Sequence, residues 1–290
     1  MSEYSESERQ FLDESHEIGD ELLVAMDRAC HAVGVDYFIF YGTLLGAVRH
    51  SDWIPWDDDI DVAMFREDFE RFRCEANPHL PEHMRFSDSR SDPLHVSSIP
   101  RILHLGTERA VFARPRRQQA PETKHVALDI FVLDEAPAAG LRHWLWRERI
   151  RMLDMLVLAT GTRIVDVFRH SEGSHFRKFA ELCGVIVSKF APSATWRNAH
   201  VAACQNYQGS GGNHVSLTNG WTLSTRAARL AVDTVKPAQP IQFGSLRVKG
   251  PHAPLQILTK IYGPDYMTPP ATALRRPSHI QNGLIVDRPE

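Results

Sequence analysis

Four aspartates crowd five positions in Pro55-Trp56-Asp57-Asp58-Asp59-Ile60-Asp61-Val62-Ala63-Met64. If the apolar run from Ile60 is a strand, its side chains alternate faces. Asp59 and Asp61 then point one way, and Ile60 and Val62 point the other way into a core. Asp57 shares the parity of Asp59 and precedes the strand. Two carboxylates side by side repel, by up to ~4 kcal/mol at 4 Å with an effective dielectric near 20. A divalent cation between them removes that cost, and oxygen-only ligands suit Mg²⁺ or Mn²⁺. A further acid, Asp129, interrupts the apolar run Leu128-Asp129-Ile130-Phe131. There a carboxylate is expensive unless paired or liganded. On a neighbouring strand Asp129 completes a three-carboxylate cluster able to hold two metals, the arrangement that serves in-line phosphoryl displacement. The alternative is an acidic turn at Asp57–Asp59 with capping duties. The entry of the triplet into an apolar strand favours the metal reading.

A second set of groups lies upstream. Gly42-Thr43 follows the short apolar run Tyr37–Phe40 and opens a helix that contains Gly46. A glycine lets a phosphate approach the backbone, and a helix N-terminus offers unpaired N–H groups. Thr43 adds a hydroxyl. Arg49 and His50 end that helix, where they either contact donor phosphates or complement the helix dipole.

These residues need a scaffold. Residues 1–10 read as a flexible tail. Helical spacing of Phe11, Ile18, Leu22, Ala25, Met26 and Ala29 predicts a helix to about Ala32. Strands are expected at 37–40, Ile60–Phe65, Val126–Leu133, Ala231–Val235 and Leu246–Lys249, with a strand pair from Ser97–Leu103 and Arg109–Phe112. Glu67–Ala76 reads as a helix that Pro78 stops. Residues 11–135 make an α/β core, 136–228 a helical insertion, and 229–290 a C-terminal part that completes the core.

Composition bounds the function. Among 290 residues, 36 acids face 33 Lys and Arg, a formal charge of −3, so bulk charge does not attract nucleic acid. Apolar residues make up 43% and charged residues 24%, ordinary for a folded protein. The four cysteines form no CxxC pair, which predicts buried thiols in a reducing compartment. The polar N-terminus is no signal peptide, and the apolar stretch Leu153–Ala159 is too short to span a bilayer. A cytoplasmic protein is expected.

The run Tyr41-Gly42-Thr43-Leu44-Leu45-Gly46-Ala47-Val48-Arg49-His50, followed by Ile54-Pro55-Trp56-Asp57-Asp58-Asp59-Ile60-Asp61, resembles the LicD family. That family includes phosphocholine transferases acting on lipopolysaccharide and teichoic acid and is related to the fukutin group. The likeness continues in Leu128–Asp134 and in Leu258-Thr259-Lys260-Ile261-Tyr262-Gly263-Pro264. The chain departs from the family pattern at Ser51-Asp52, where Lys-Gly is common, and at Val132, where Pro is common. Neither departure falls on an expected metal ligand.

The resemblance implies a polymerase-β-type nucleotidyltransferase core with a mixed sheet. It implies metal-dependent transfer of a phospho-alcohol from a CDP-alcohol donor to a hydroxyl of a glycan, lipid-linked or free. Asp59 and Asp61 carry over as catalytic metal ligands, Asp129 as the third catalytic acid, either metal ligand or general base, and Asp57 stands beside them as a further ligand. Gly42 and Thr43 carry over as binders of donor phosphate. Lys260 and Tyr262 become substrate contacts, with a solvated helix position the alternative for Lys260. Arg117, in the basic loop Arg114, Arg116, Arg117, Lys124 and His125, is a further one. Two other readings stand beside this: a nucleotidyltransferase placing NMP on its substrate, and a non-catalytic glycan- or nucleotide-binding scaffold. Leu141–Arg149 is basic and aromatic; it either rests on the inner face of a membrane or packs its Trp side chains inward. Arg275, Arg276 and His279 form a basic tail that could close over substrate.

Overall fold

The computed structural model describes residues 6–92, 95, 97–109, 125–161, 175–219, 229–275, 277 and 284–286. It is a mixed α/β protein whose main sheet, among the described residues, has seven strands. Helix α1 (Glu6–Val33) starts five residues before the expected point, so Glu6–Gln10 belong to a helix rather than to a tail. After it come β1 (Phe38–Ile39), α2 (Tyr41–His50), β2 (Ile60–Phe65), α3 (Arg66–Glu75), β3 (Met84–Ser87), β4 (Arg101–His104) and β5 (Thr107–Arg109). The long β6 (Val126–Glu135) follows. The span read as a helical insertion holds α4 (Leu141–Thr160), α5 (His175–Ser188) and α6 (Ser193–Cys204), and then a strand, β7 (His214–Leu217). The chain continues through β8 (Arg229–Ala231), α7 (Val232–Val235), β9 (Gln239–Phe243), β10 (Leu246–Gly250), α8 (Pro254–Tyr262) and β11 (Leu284–Val286).

The order across the main sheet is β1-β2-β6-β4-β3. β2 runs parallel to β6, and the β1–β2, β4–β6 and β3–β4 pairs are antiparallel. β6 outruns β4, and Leu133 pairs with Phe65 on one edge and Leu217 on the other, so β7 takes the edge that β4 leaves. The apolar side chains expected to face inward do so: Ile60, Val62, Leu128 and Ile130 are buried, as are Leu22, Leu23 and Met26 of α1 in the same core. Burial of side chains of this size stabilises by roughly 1.5–3 kcal/mol each.

Three expectations change. Ala231–Val235 is not a strand: β8 ends at Ala231 and a helical turn follows, across which the Thr234 hydroxyl donates to the Ala231 carbonyl at 2.7 Å. That local bond competes with ladder pairing. Strand β4 pairs with β3 and β6, and β5 pairs with β11, so the two expected partners are not partners of each other; residues 110–112 lie outside the described residues. All four cysteines are free, and Cys30 and Cys204 are buried, but Cys74 is exposed.

Helix α4 divides its tryptophans. Trp146 is buried and donates its indole N–H to the Ala203 carbonyl of α6 at 2.8 Å. Trp144 is exposed beside exposed Leu141, Leu145, Met152 and Met155.

Candidate active site

The parallel β2–β6 register sets Asp61 directly opposite Asp129. Adjacent residues in register project to the same face, so the two carboxylates are neighbours. Asp61 is also fixed by its backbone. Its carbonyl accepts from the Phe40 N–H at 2.9 Å, and its N–H donates to the Thr43 hydroxyl at 2.8 Å. The turn from β1 into α2 thus clamps the residue on both sides. Thr43 is buried and its oxygen is engaged with β2, so it positions Asp61.

That turn is strained. Tyr41 has φ 39°, in the left-handed region that β-carbon-bearing residues rarely adopt. The strain aims the first turn of α2 at the acids. The Gly42 N–H bonds the Asp61 carboxylate, and a methyl group at Gly42 would overlap Oδ2 of Asp57. Gly42 is therefore set against the acid cluster. Gly46 is not: a side chain there would strike the backbone of Asp52–Ile54, so it serves close packing of the chain leading into the acidic loop.

Burial pushes the Asp61 carboxyl well above the ordinary carboxylate range, and the charges of Asp59, Asp129 and Asp57 push it further. Asp57 moves the same way, through burial first and then through Asp59, with which it shares a hydrogen bond. Without a counter-ion these acids hold protons together. On the far side of the cluster stands Arg101, which sequence reasoning did not single out. It lies opposite Asp129 in the β4–β6 register and grips it through Nε–Oδ1 and Nη2–Oδ2, the second at 3.1 Å. The signal was available: a lone cation opening the apolar run Ile102-Leu103 needs a partner just as Asp129 does. From α1, His16 bonds the Asp57 carbonyl at 2.8 Å and stacks on Trp53, bracing the acidic loop.

Arg49 and His50 reach the rim. Arg49 donates to the Tyr266 carbonyl and to His50 Nε2, both at 2.9 Å, and its guanidinium lies over Trp56. Arg275 covers Trp56 as well, 5.2 Å from the ring centre. The C-terminal segment thus closes over this rim at Arg275, while Arg276 and His279 lie outside the described residues. Tyr262 leaves 43% of its surface in solvent, but its phenol is held up by burial and by the nearby charges of Asp61, Asp57 and Asp59. It therefore lies beside the acid cluster. Lys260, two positions earlier on α8, projects from another side of the helix. Its ammonium donates to the Arg229 carbonyl of β8, so no contact joins it to the cluster. Arg117 and the rest of the basic loop up to Lys124 fall outside the described residues.

The Gly42 contact gives a test. Gly42→Ala keeps a helix-compatible backbone but displaces the Asp57 carboxylate. The expected result is roughly a tenfold or larger rise in the metal concentration needed for half-maximal turnover, with little loss of thermal stability. A metal titration unchanged from wild type would remove Asp57 from the site.

Residues 34–137 match the family model for the LicD/FKTN/FKRP nucleotidyltransferase domain. Over 110 residues the chain is 51% identical to the lipopolysaccharide cholinephosphotransferase LicD of Haemophilus influenzae, covering 37% of this chain and 38% of that protein. It is 54% identical over 37 residues to the human and mouse ribitol 5-phosphate transferase FKRP, 13% of this chain and 8% of those proteins. The likeness thus spans under two fifths of either of these relatives. The family-model match takes in β1, α2, the acidic loop, β2, Arg101 and Asp129, the parts that build the cluster, so this segment of the chain is similar to the LicD/FKTN/FKRP nucleotidyltransferase domain.

Proposed function

We propose that the protein is a divalent-metal-dependent transferase that moves a phospho-alcohol, phosphocholine or a similar group, from a CDP-linked donor to a hydroxyl of a cell-surface glycan. The observation that carries this reading is the apposition of Asp61 and Asp129 across β2–β6, with Asp57 drawn in against Gly42. The names of the relatives supply the substrate class: one transfers cholinephosphate in lipopolysaccharide, the other ribitol 5-phosphate.

Mg²⁺ or Mn²⁺ fits the donor set, which is all carboxylate, with Asp57 and Asp61 held by burial and neighbouring charge above the ordinary carboxylate range. Asp57, Asp59, Asp61 and Asp129 would hold it. When bound, it supplies positive charge to the phosphoryl oxygens as the transferred group leaves. The chain's own residues do the rest. Thr43 fixes the height of Asp61 on β2, and Arg101 fixes the plane of the Asp129 carboxylate. Arg49 and Arg275, stacked on Trp56, present two cations at the rim for the donor diphosphate. The acceptor oxygen forms a bond to the β-phosphorus, the bridging P–O bond breaks, and CMP departs with the electron pair. The acceptor proton passes to a carboxylate of the cluster, with Asp129 the candidate base. No helix among the described residues is long and apolar enough to cross a membrane. The exposed apolar face of α4, flanked by exposed Arg142, Arg149 and Arg151, supports peripheral contact with a cytoplasmic membrane face, where lipid-linked acceptors reside.

Transfer of NMP from an NTP is the second reading, favoured by the description of the matched domain as a nucleotidyltransferase. Incubation with CDP-choline, CDP-ribitol and CDP-glycerol, and separately with each NTP, separates the two by mass spectrometry. The expected products are CMP and an acceptor heavier by a phospho-alcohol, both abolished by EDTA and restored by Mg²⁺. Pyrophosphate with an NMP-bearing acceptor would select the second reading. Turnover that survives exhaustive chelation would end the metal-dependent mechanism.

A further inference from the structure

At the end of the β3–β4 pair, away from the acid cluster, three ligand-type side chains converge. Main-chain pairing places His83 and His104 together: Met84 and His104 are in register, and the Leu105 N–H donates to the His83 carbonyl at 2.7 Å. Their rings lie 5.0 Å apart. Both Nε2 atoms face one carboxylate of α1. His83 Nε2 is 2.7 Å from Glu21 Oε1, and His104 Nε2 is 3.5 Å from Oε2. The three ligand atoms lie within 4.8 Å of one another. Around an ion with bonds of roughly 2.0–2.2 Å, tetrahedral ligands stand about 3.4 Å apart. The observed separations bracket that spacing, so small side-chain rotations suffice. His104 is buried while Glu21 and His83 are largely exposed, which leaves one side open for a water or a fourth ligand.

We propose that Glu21, His83 and His104 form a binding site for one zinc-class divalent ion. Two imidazoles and one carboxylate select a borderline cation such as Zn²⁺ or Co²⁺ over Mg²⁺, which prefers all-oxygen sites. The site shares no residue with the acid cluster. His104 is three residues along β4 from Arg101, roughly 10 Å away and of opposite facing parity. Its ligands come from α1, the turn before β3 and the end of β4, so the ion ties the N-terminal helix to an edge of the main sheet. The proposal stands whether or not the transferase reading does.

The test uses the full chain, stripped with chelator and then held in excess Mg²⁺ to fill the acid cluster. Zn²⁺ is titrated by calorimetry, and Co²⁺ by its visible absorption, which reports nitrogen donors. One tight equivalent is expected, together with a rise in melting temperature of roughly 5 °C at a hundredfold excess over Kd. His83→Gln and Glu21→Gln, both at the surface, should weaken Zn²⁺ at least about tenfold with metal-free melting near wild type. Asp61→Asn should leave the Zn²⁺ equivalent in place. Absence of tight Zn²⁺ binding by wild type, or binding that persists in His83→Gln and Glu21→Gln, would overturn the proposal. So would loss of the equivalent in Asp61→Asn, which would put the ion among the aspartates.

Discussion

Asp61→Asn and Asp129→Asn are both expected to cut transfer roughly 10³-fold or more, yet to shift metal-free stability in opposite directions. Each removes one carboxylate from the centre of the cluster. For Asp61 the native state already resists ionisation, because the carboxyl is buried beside Asp59, Asp129 and Asp57. Its folded pKa lies above its unfolded one. The stability it contributes is therefore complete below about pH 4 and is lost as pH rises through the folded value, since the native state keeps a proton that the unfolded chain releases. Asparagine abolishes that loss. Metal-free Asp61→Asn should melt at or above wild type at pH 7–8, and the difference should close toward pH 4. Mg²⁺ should raise the wild-type melting temperature far more than that of the variant.

Asp129 answers differently because of Arg101. The guanidinium is only 19% exposed and forks onto both oxygens of Asp129. Asparagine accepts on one side and carries no charge, so the variant strands a half-buried cation. The cost is about 1–3 kcal/mol, offset in part by relief of repulsion with Asp61. Metal-free Asp129→Asn should melt below wild type, and Arg101→Gln should restore part of the difference. An Asp129→Asn protein that melts as wild type would show that Arg101 is not held there. A loss of activity in Asp61→Asn that tracks unfolding would return the acidic loop to a structural role.

The acids were legible because they break rules. An aspartate inside an apolar strand is costly, and period-two alternation says which face it takes, so Asp61 and Asp129 could be assigned before their strands were seen to pair. Their adjacency in register could not: it depends on β2 and β6 lying side by side although 60 residues separate them. Arg101 was hidden for the same reason, since it sits two strands from Asp61 in space and 28 residues from its partner Asp129 in sequence. Gly42 and Gly46 looked alike as glycines of one helix. Only the packing around each shows that the first clears room for carboxylates and the second for backbone. Lys260 and Tyr262 shared a motif, yet two helical positions send them to different sides. Thr234 turned an expected strand into a helical turn through one short-range hydrogen bond, a preference that β-branched composition masked.

The largest loss of stability is expected at Asp134, which lies outside the cluster but governs its register. β2 ends at Phe65, paired with Leu133, and the next residue on each chain continues the alignment. Arg66 and Asp134 meet there in a two-point ion pair, Nε–Oδ1 and Nη2–Oδ2 each at 2.7 Å, with side chains 6% and 0% exposed. The Thr218 hydroxyl also donates to Asp134, and Glu70 takes a further Arg66 N–H at 3.1 Å. The pair therefore bolts together the ends of the two strands whose other halves carry Asp61 and Asp129. A one-residue slip of β2 on β6 would turn one carboxylate to the opposite face. Asp134→Ala leaves a buried guanidinium uncompensated, and a loss of about 3–5 kcal/mol is expected in urea unfolding. Replacing both partners with apolar residues, Arg66→Met with Asp134→Leu, removes the stranded charge and should recover most of that loss. What it does not recover is the directional lock, so the folded double variant should transfer more slowly than wild type at saturating metal. A double variant no more stable than Asp134→Ala would show that the cost lies in lost packing rather than in an unpaired ion. Full activity in a folded double variant would show that the main-chain ladder alone holds Asp61 opposite Asp129.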